Sequence, residues 1–214
     1  MEFKNNFFGS ITFQNDSELQ TIGECAFYGC INLESITIPS GSELKTIGDY
    51  AFYHCSSLTS ITIPSEVTEI KDNAFDGCSK LTSITFQSGS ELQTIGSYAF
   101  YHCINLESIT IPSEVTEIKD NAFDGCLKLA SINIPEGVTK IGDSVFEGCS
   151  NLGTIRFECK PTNEMIDNLK LPKTTGNFIL SYNFSNDDEQ TDTCNYLKGK
   201  YPGWNIEVLN PVQT

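Results

Sequence analysis

Hydrophobic positions return along this chain at fixed offsets, and the offsets define a repeat. A phenylalanine preceded by alanine, once by valine, stands at Phe27, Phe52, Phe75, Phe100, Phe123 and Phe146, at separations of 25, 23, 25, 23 and 23 residues. Three residues after each comes a cysteine: Cys30, Cys55, Cys78, Cys103, Cys126 and Cys149. Three further on comes Leu33, Leu58, Leu81, Leu106, Leu129 or Leu152. A short β-branched or aromatic triplet follows each leucine, as in Ile36-Thr37-Ile38 and Ile61-Thr62-Ile63. An earlier triplet, Ile11-Thr12-Phe13, has Phe8 in the leucine slot, which makes seven strand-like rungs.

A second apolar pair follows each of the first six triplets: Leu19/Ile22, Leu44/Ile47, Val67/Ile70, Leu92/Ile95, Val115/Ile118 and Val138/Ile141. Long units read SGSEL just before this pair and short units read SEV. A length change confined to one place marks a surface loop. Long and short units alternate at first, and Tyr98 to Ile132 nearly copies Tyr50 to Ile84 at a spacing of 48 residues. That spacing points to duplication of a two-repeat block.

Each unit is too small to bury its own apolar side, so the units must stack. In a strand Ile36 and Ile38 face one way and Thr37 the other. Parallel rungs about 4.8 Å apart turn such positions into continuous columns. Pro39, Pro64, Pro112 and Pro135 end strand triplets, where a missing N–H does least harm. The Ala-Phe-x-x-Cys segment is predicted to be a short helical or 3₁₀ turn with Phe and Cys inward. The predicted fold class is a repeat solenoid of leucine-rich type, residues 1–157, with short parallel strands on a concave face and the turns on the convex side. Residues 158–214 leave the repeat and are expected to cap it, with Phe178-Ile179-Leu180 as a strand, Tyr201 and Trp204 as covering aromatics, and Asp187 to Asp192 as an acidic loop. The chain starts mid-repeat, so either the native protein extends upstream or its first rung is exposed.

The pattern I-x-I-P…V-x-x-I-x-x-x-A-F-x-x-C-x-x-L-x-x-I, carried in full from Pro64 to Pro112, resembles the BspA-like class of leucine-rich repeats over roughly residues 8 to 157. The resemblance implies surface or secreted proteins of anaerobic bacteria and protozoan parasites. The implied role is adhesion to host matrix proteins, host cells or other microbes, and no catalytic motif comes with it.

Charge narrows the partners. There are 28 acidic and 13 basic residues, a formal net charge of −15. Such a field repels phosphate backbones and excludes a polybasic membrane-docking surface, so neither nucleic acid nor membrane insertion is expected. No apolar run approaches the ~18 residues of a membrane span, and Met1 to Ser10 lacks the apolar core of a signal peptide. The expected location is the cell surface or outside it, with the cytoplasm as the alternative. The partner is expected to be protein or glycan, including host extracellular matrix. An intracellular scaffold and a purely structural spacer are the competing roles, and the pattern sets no oligomeric state.

Candidate chemistry is sparse. The repeated cysteines share one inward column and read as structural thiols. Cys159 and Cys194 lie outside the array, where pairing with each other is open. His54 and His102 share one repeat slot but sit two rungs, roughly 10 Å, apart, too far for one metal or a hydrogen bond. Neither a nucleophile elbow nor a phosphate-binding loop is present, so no enzyme, metal or cofactor is expected. Asp72/Asp120 and Asp76/Asp124 follow the repeat and read as solvated surface. Asp187 to Asp192 has the composition of a weak Ca²⁺ loop, although solvated acids describe it better. Asn15-Asp16-Ser17 and Asn183-Phe184-Ser185 are sequons, of consequence only in a eukaryotic secretory pathway.

The outward strand positions carry the binding expectation: Ser35, Ser60, Ser83, Ser108 and Ser131 in one column, Thr37, Thr62, Thr85, Thr110 and Asn133 in the other. β-propensity and ladder hydrogen bonds between threonines explain part of that pattern, and a docking face the rest. The lattice also resembles the hydroxyl arrays of ice-binding solenoids, but those are flat and a curved array does not match. A second candidate surface is aromatic: Tyr28, Tyr53 and Tyr101 share a slot, next to His54 and His102, with Tyr50 and Tyr98 nearby.

Overall fold

The computed structural model describes residues 9–14, 18–172, 175–184 and 186–209, which form a parallel-stranded solenoid of about seven turns. In chain order the repeat strands are β1 (Ser10–Thr12), β2 (Thr21–Ile22), β3 (Ser35–Thr37), β4 (Thr46–Ile47), β5 (Ser60–Ile63), β6 (Glu69–Ile70), β7 (Ser83–Phe86), β8 (Thr94–Ile95), β9 (Ser108–Ile109), β10 (Glu117–Ile118), β11 (Ser131–Ile134), β12 (Lys140–Ile141) and β13 (Thr154–Phe157). Odd-numbered strands are the triplets. They stack in the order β1-β3-β5-β7-β9, and identical positions pair: Ile61 with Ile84, Thr62 with Thr85. Even-numbered strands come from the second apolar pairs, read above only as buried positions. They make a sheet of their own, β2-β4-β6-β8-β10-β12.

The core is the set of columns the spacing predicts. Leu58, Leu81, Leu106, Leu129 and Leu152 are fully buried, as are Ile47, Ile70, Ile95 and Ile118. The phenylalanine rings stack along the axis, with centroids 5.0 Å apart from Phe27 to Phe52 and from Phe52 to Phe75, and 5.4 Å from Phe75 to Phe100. From the second unit on, each column thiol donates to the phenylalanine carbonyl one unit earlier: Cys55 to Phe27 at 3.1 Å, Cys78 to Phe52 at 3.2 Å, Cys149 to Phe123 at 3.0 Å. That satisfies a buried carbonyl and explains a small donor at this slot. Burial pushes these thiols up, to about 12 at Cys55 and at Cys149. Cys159 and Cys194 are separate thiols. At the first rung Ile11, Phe13 and Leu19 are only half-buried. Phe8 and the sequon at Asn15 lie outside the described residues, as does Ser185 of the second sequon.

The Ala-Phe-x-x-Cys segment is a run of tight turns rather than a helix. Bonds such as Tyr28 N–H to the Cys25 carbonyl (3.1 Å) and Cys30 N–H to the Phe27 carbonyl (3.1 Å) close it. Left-handed residues break any helix twice per unit, first at Cys25, Tyr50, Asn73, Tyr98, Asn121 and Ser144 (φ 54° to 58°), then at Gly29, His54, Gly77, His102, Gly125 and Gly148 (φ 52° to 74°). A third backbone ladder runs along these turns: Phe52 N–H donates to the Ala74 carbonyl (2.7 Å) and Phe75 N–H to that of Ala99 (2.8 Å).

After β13 come α1 (Asn163–Asp167), β14 (Gly176–Leu180), α2 (Asp187–Lys200) and β15 (Trp204–Val208). The sheet runs unbroken across residue 158, in the order β11-β13-β14-β15, all parallel. On the strand side Phe178 packs on Phe157, with ring centroids 6.4 Å apart, and the Trp204 indole lies 4.7 Å from Phe178. A Cβ on Gly176 would meet that indole at 2.6 Å, so only glycine lets the ring close down. The predicted acidic loop is instead the first turn and a half of α2. Asn186 caps it by accepting the Glu189 N–H (2.8 Å), and Asp187, Asp188 and Glu189 face the positive end of the helix dipole. Helix geometry spreads those acids around the axis, which removes the Ca²⁺-loop reading.

Candidate functional site

Two surfaces gather the candidate residues. The first is the outer face of the odd-numbered strands. Ser35, Thr37, Ser60, Thr62, Thr85, Ser108, Thr110 and Ser131 are exposed there, and Ser83 is half-buried. Strand alternation puts their isoleucine neighbours inside, so the hydroxyls project outward in two parallel rows. The expected hydroxyl ladder is made elsewhere. Thr82 donates to the Thr59 carbonyl (3.1 Å), and Thr116 and Thr139 bond in the same way along the even-numbered sheet. The face is interrupted once, since β9 touches β11 without joining its sheet. Beside that break a shallow cleft is lined by Thr85, Phe86, Thr110, Pro112 and the long-unit loop at Gly89 to Glu91. Asn133 ends the threonine row differently. It is half-buried opposite Arg156, with its side-chain oxygen buried and without a partner among the described residues.

The second surface is the turn edge. The carbonyls of Tyr53, Asp76, Tyr101, Asp124 and Glu147 accept successively from Gly29, His54, Gly77, His102 and Gly125, at 2.7 to 2.9 Å. This ladder puts Tyr53, Asp76 and Tyr101 on three consecutive rungs. Tyr53 stacks on Tyr28 at 4.7 Å and meets Tyr50 edge-on at 5.5 Å; Tyr101 meets Tyr98 edge-on at 5.4 Å. The exposed imidazoles pack against the same phenols, His54 at 4.4 Å and His102 at 3.9 Å. Each imidazole lies over the glycine of the next rung, Gly77 and Gly125. His54 and His102 therefore stand apart, each in its own aromatic group.

Of the acids that the repeat suggests are solvated surface, Asp120 is exposed, Asp72 and Asp124 are half-buried and Asp76 is buried. Asp72 accepts the Ser97 N–H (2.8 Å) and Asp120 the Asp143 N–H (2.9 Å), so both tie one rung to the next. Asp76 is 9% exposed. Desolvation raises its pKa, and the nearby His54 and His102 pull it back down. Desolvation raises Asp124 as well, helped by Glu147. Burial, with Asp76 among the nearby charges, raises the phenols of Tyr53 and Tyr101. Sequence reasoning missed Asp76 because an acid at a repeat slot looks like surface. The signal available was that Asp76 occupies the slot held by tyrosine in the units on either side.

Among the described residues no group of three or more His, Cys, Asp or Glu is placed to hold a metal, and no helix is long and apolar enough to cross a membrane.

The chain matches the BspA type leucine rich repeat region in 6 copies, over residues 1–91 and 89–186. It is similar to a leucine rich cell surface protein of Faecalibacterium prausnitzii, at 30% identity and a TM-score of 0.61, over 74% of this chain and 50% of that one. It is also similar to the leucine rich repeat protein of T. pallidum, at 27% identity and a TM-score of 0.58, over 75% of this chain and 78% of that one. The pneumococcal vaccine antigen PcpA shares the fold at 17% identity and a TM-score of 0.55, over 94% of this chain and 67% of that one. The chain thus spans half the length of the Faecalibacterium protein. No functionally curated protein matches it.

Proposed function

We propose that this chain, which belongs to the BspA-type leucine-rich repeat family, is the binding module of a bacterial cell-surface or secreted adhesin and takes a protein or glycan, host extracellular matrix included, on its outer strand face. Leucine-rich repeat arrays of this kind serve as protein-interaction modules without enzymatic activity. The observation that carries the reading is the pair of exposed hydroxyl rows through Ser60/Thr62, Ser83/Thr85 and Ser108/Thr110. They offer donors and acceptors at rung spacing over an almost uncharged face, which suits an extended peptide or a sugar chain. The surface location rests on the Faecalibacterium relative, itself described as a cell surface protein. In this reading residues 158–214 serve as the closing cap, with Phe178 over Phe157 and Trp204 over Phe178.

The test is a triple change of Thr62, Thr85 and Thr110 to Lys, read in a solid-phase screen against matrix proteins, serum proteins and glycans. The expected result is a saturable ligand that the folded variant no longer binds. A ligand bound equally well by the variant removes the strand face from the account. A second reading, an intracellular scaffold, draws on the buried thiol column Cys55, Cys78, Cys103, Cys126 and Cys149, a use of cysteine more usual in a reducing compartment. Fractionation of the source cells separates the two, since recovery of the protein from the cytoplasm alone excludes an adhesin.

A further inference from the structure

The long loop after Phe86 sits between two short neighbours, and it leans one way. Its Glu91 N–H donates to the Ser65 carbonyl of the preceding rung at 2.7 Å. On the other side, the short loop of the following rung is backed by the rung after it: a Cβ added to Gly137 would meet the Ser113 carbonyl oxygen at 2.6 Å. The two loops are thus drawn apart. The strands beneath them part as well. β7 pairs with β5 over four residues, from Ser83 on Ser60 to Phe86 on Ile63, but with β9 only at Ser83 on Ser108 and Ile84 on Ile109. The sequence supplies a reason. The Gln87 N–H donates to the Ile63 carbonyl (3.0 Å), whereas its counterpart one rung on is Pro112, which has no N–H to give the Phe86 carbonyl. The space so opened is the cleft between the fourth and fifth rungs. Its volume is about 680 Å³, inside the roughly 300–1,000 Å³ of small-ligand sites.

The lining has a definite chemistry. Phe86 takes a slot where Ile38, Ile63, Ile111 and Ile134 are buried, yet it is only half-buried and lends aromatic surface to the cleft. Around it stand the hydroxyls of Thr85 and Thr110, the amides of Gln87 and Gln93, and the carboxylates of Glu91 and Glu114. No lysine, arginine or histidine is among the described lining residues. A sugar ring matches this set. Its C–H face packs on an aromatic ring, and its hydroxyls donate to carboxylate and amide oxygens and accept from amide N–H groups. The two glutamates, in a chain of net charge −15, repel an acidic sugar and favour an uncharged one. A peptide strand fits less well. It adds to a free sheet edge, and β7 is held on both sides, by β5 and β9.

We propose that this cleft is a binding site for an uncharged oligosaccharide, with one sugar ring on Phe86 and its hydroxyls held by Glu91, Glu114 and the neighbouring amides. The inference rests on the binding-module reading and deepens it: the hydroxyl rows run into the cleft at Thr85 and Thr110, and the ligand there is glycan rather than protein.

The probes are cellotriose, maltotriose, mannotriose and chitotriose, with trigalacturonic acid as the charged counterpart, each titrated into the full chain by NMR. At least one neutral trisaccharide should shift the amides of Thr85, Phe86, Gly89 and Thr110 saturably, and the acid should shift none of them. Phe86→Ile restores the residue of the other units, so the fold is kept; it should weaken binding about fivefold or more, as loss of a stacked ring does. Phe13→Ile removes a half-buried ring from the same slot of the first rung and should change nothing. No shift at the cleft with any neutral trisaccharide would overturn the proposal, as would equal losses in the two variants or equal binding of the acid. Capped Ala-Lys-Ala-Lys-Ala shifting the same amides while every saccharide is silent would assign the cleft to a basic peptide instead. A protein ligand from the solid-phase screen that is lost on the threonine-to-lysine change but ignores Phe86→Ile, with no saccharide bound, defeats the cleft alone and leaves the module reading standing.

Discussion

Phe75→Ala tests the stacking account at its centre. Phe75 is fully buried, with Phe52 5.0 Å away at an interplanar angle of 5° and Phe100 5.4 Å away at 10°. Truncation costs about 3–5 kcal/mol in transfer and cavity terms, and roughly 1 kcal/mol more for each stacked face. Phe146, equally buried, has a ring partner on one side, Phe123 at 5.8 Å. Phe146→Ala should therefore cost about 1 kcal/mol less than Phe75→Ala. In a quasi-one-dimensional array the central change also uncouples the halves, so Phe75→Ala should lower the urea m-value where Phe146→Ala leaves it near wild type. Phe75→Leu keeps most of the volume and provides a folded variant should alanine not fold. Urea denaturation followed by far-UV circular dichroism reads all three. A loss under about 2 kcal/mol for Phe75→Ala, or identical costs and slopes for Phe75 and Phe146, would refute the idea that the rings couple the rungs.

Three further outcomes follow from particular contacts. In the native protein Cys25 and Cys194, both half-buried, should react with a thiol reagent at pH 8, while the buried Cys55, Cys78, Cys103, Cys126 and Cys149 wait for unfolding; rapid labelling of the buried set would contradict the thiol-to-carbonyl ladder. Because burial raises the Asp76 pKa, its charged form destabilises the fold, so this contribution is favourable at acid pH and is lost as pH rises through the folded value, above the usual carboxylate range; Asp76→Asn should raise the neutral-pH melting temperature and flatten its pH dependence, and a variant less stable at pH 7 would disprove the assignment. Gly29→Ala and Gly125→Ala both place a side chain at positive φ, but only at Gly125 would the new Cβ collide with an imidazole, that of His102; Gly125→Ala should be the costlier by about 1–3 kcal/mol, and His102→Gly should restore most of the difference.

The columns were legible because burial repeats with the sequence: Phe, Cys and Leu recur at fixed offsets, and each offset has one inward position. The even-numbered sheet was harder to see. Its strands are two residues long, as at Thr46–Ile47, too short for alternation to show. The turns keep the three-residue bonds of a 3₁₀ turn, and they stop short of a helix because left-handed residues, often not glycine, interrupt them, as at Tyr50, Asn73 and Tyr98. α2 was read as an acidic loop because its first turn carries Asp187, Asp188 and Glu189, residues that suit a helix N-terminus and a solvated loop alike. Of the candidate surfaces, the hydroxyl rows followed from strand alternation. The place of Asp76 did not, since the groups that act on it, His54 and His102, lie 22 and 26 residues away and only the stacked register brings them near.

The central claim, that the chain is a binding module acting through its outer strand face, is met most directly by interferometry of the purified protein and its Thr62→Lys, Thr85→Lys, Thr110→Lys variant over matrix proteins, serum proteins and glycans at two salt concentrations. The account predicts at least one saturable ligand for the parent chain, lost in a variant whose circular dichroism is unchanged. A ligand that binds both proteins alike, or no ligand for a folded parent chain, contradicts it.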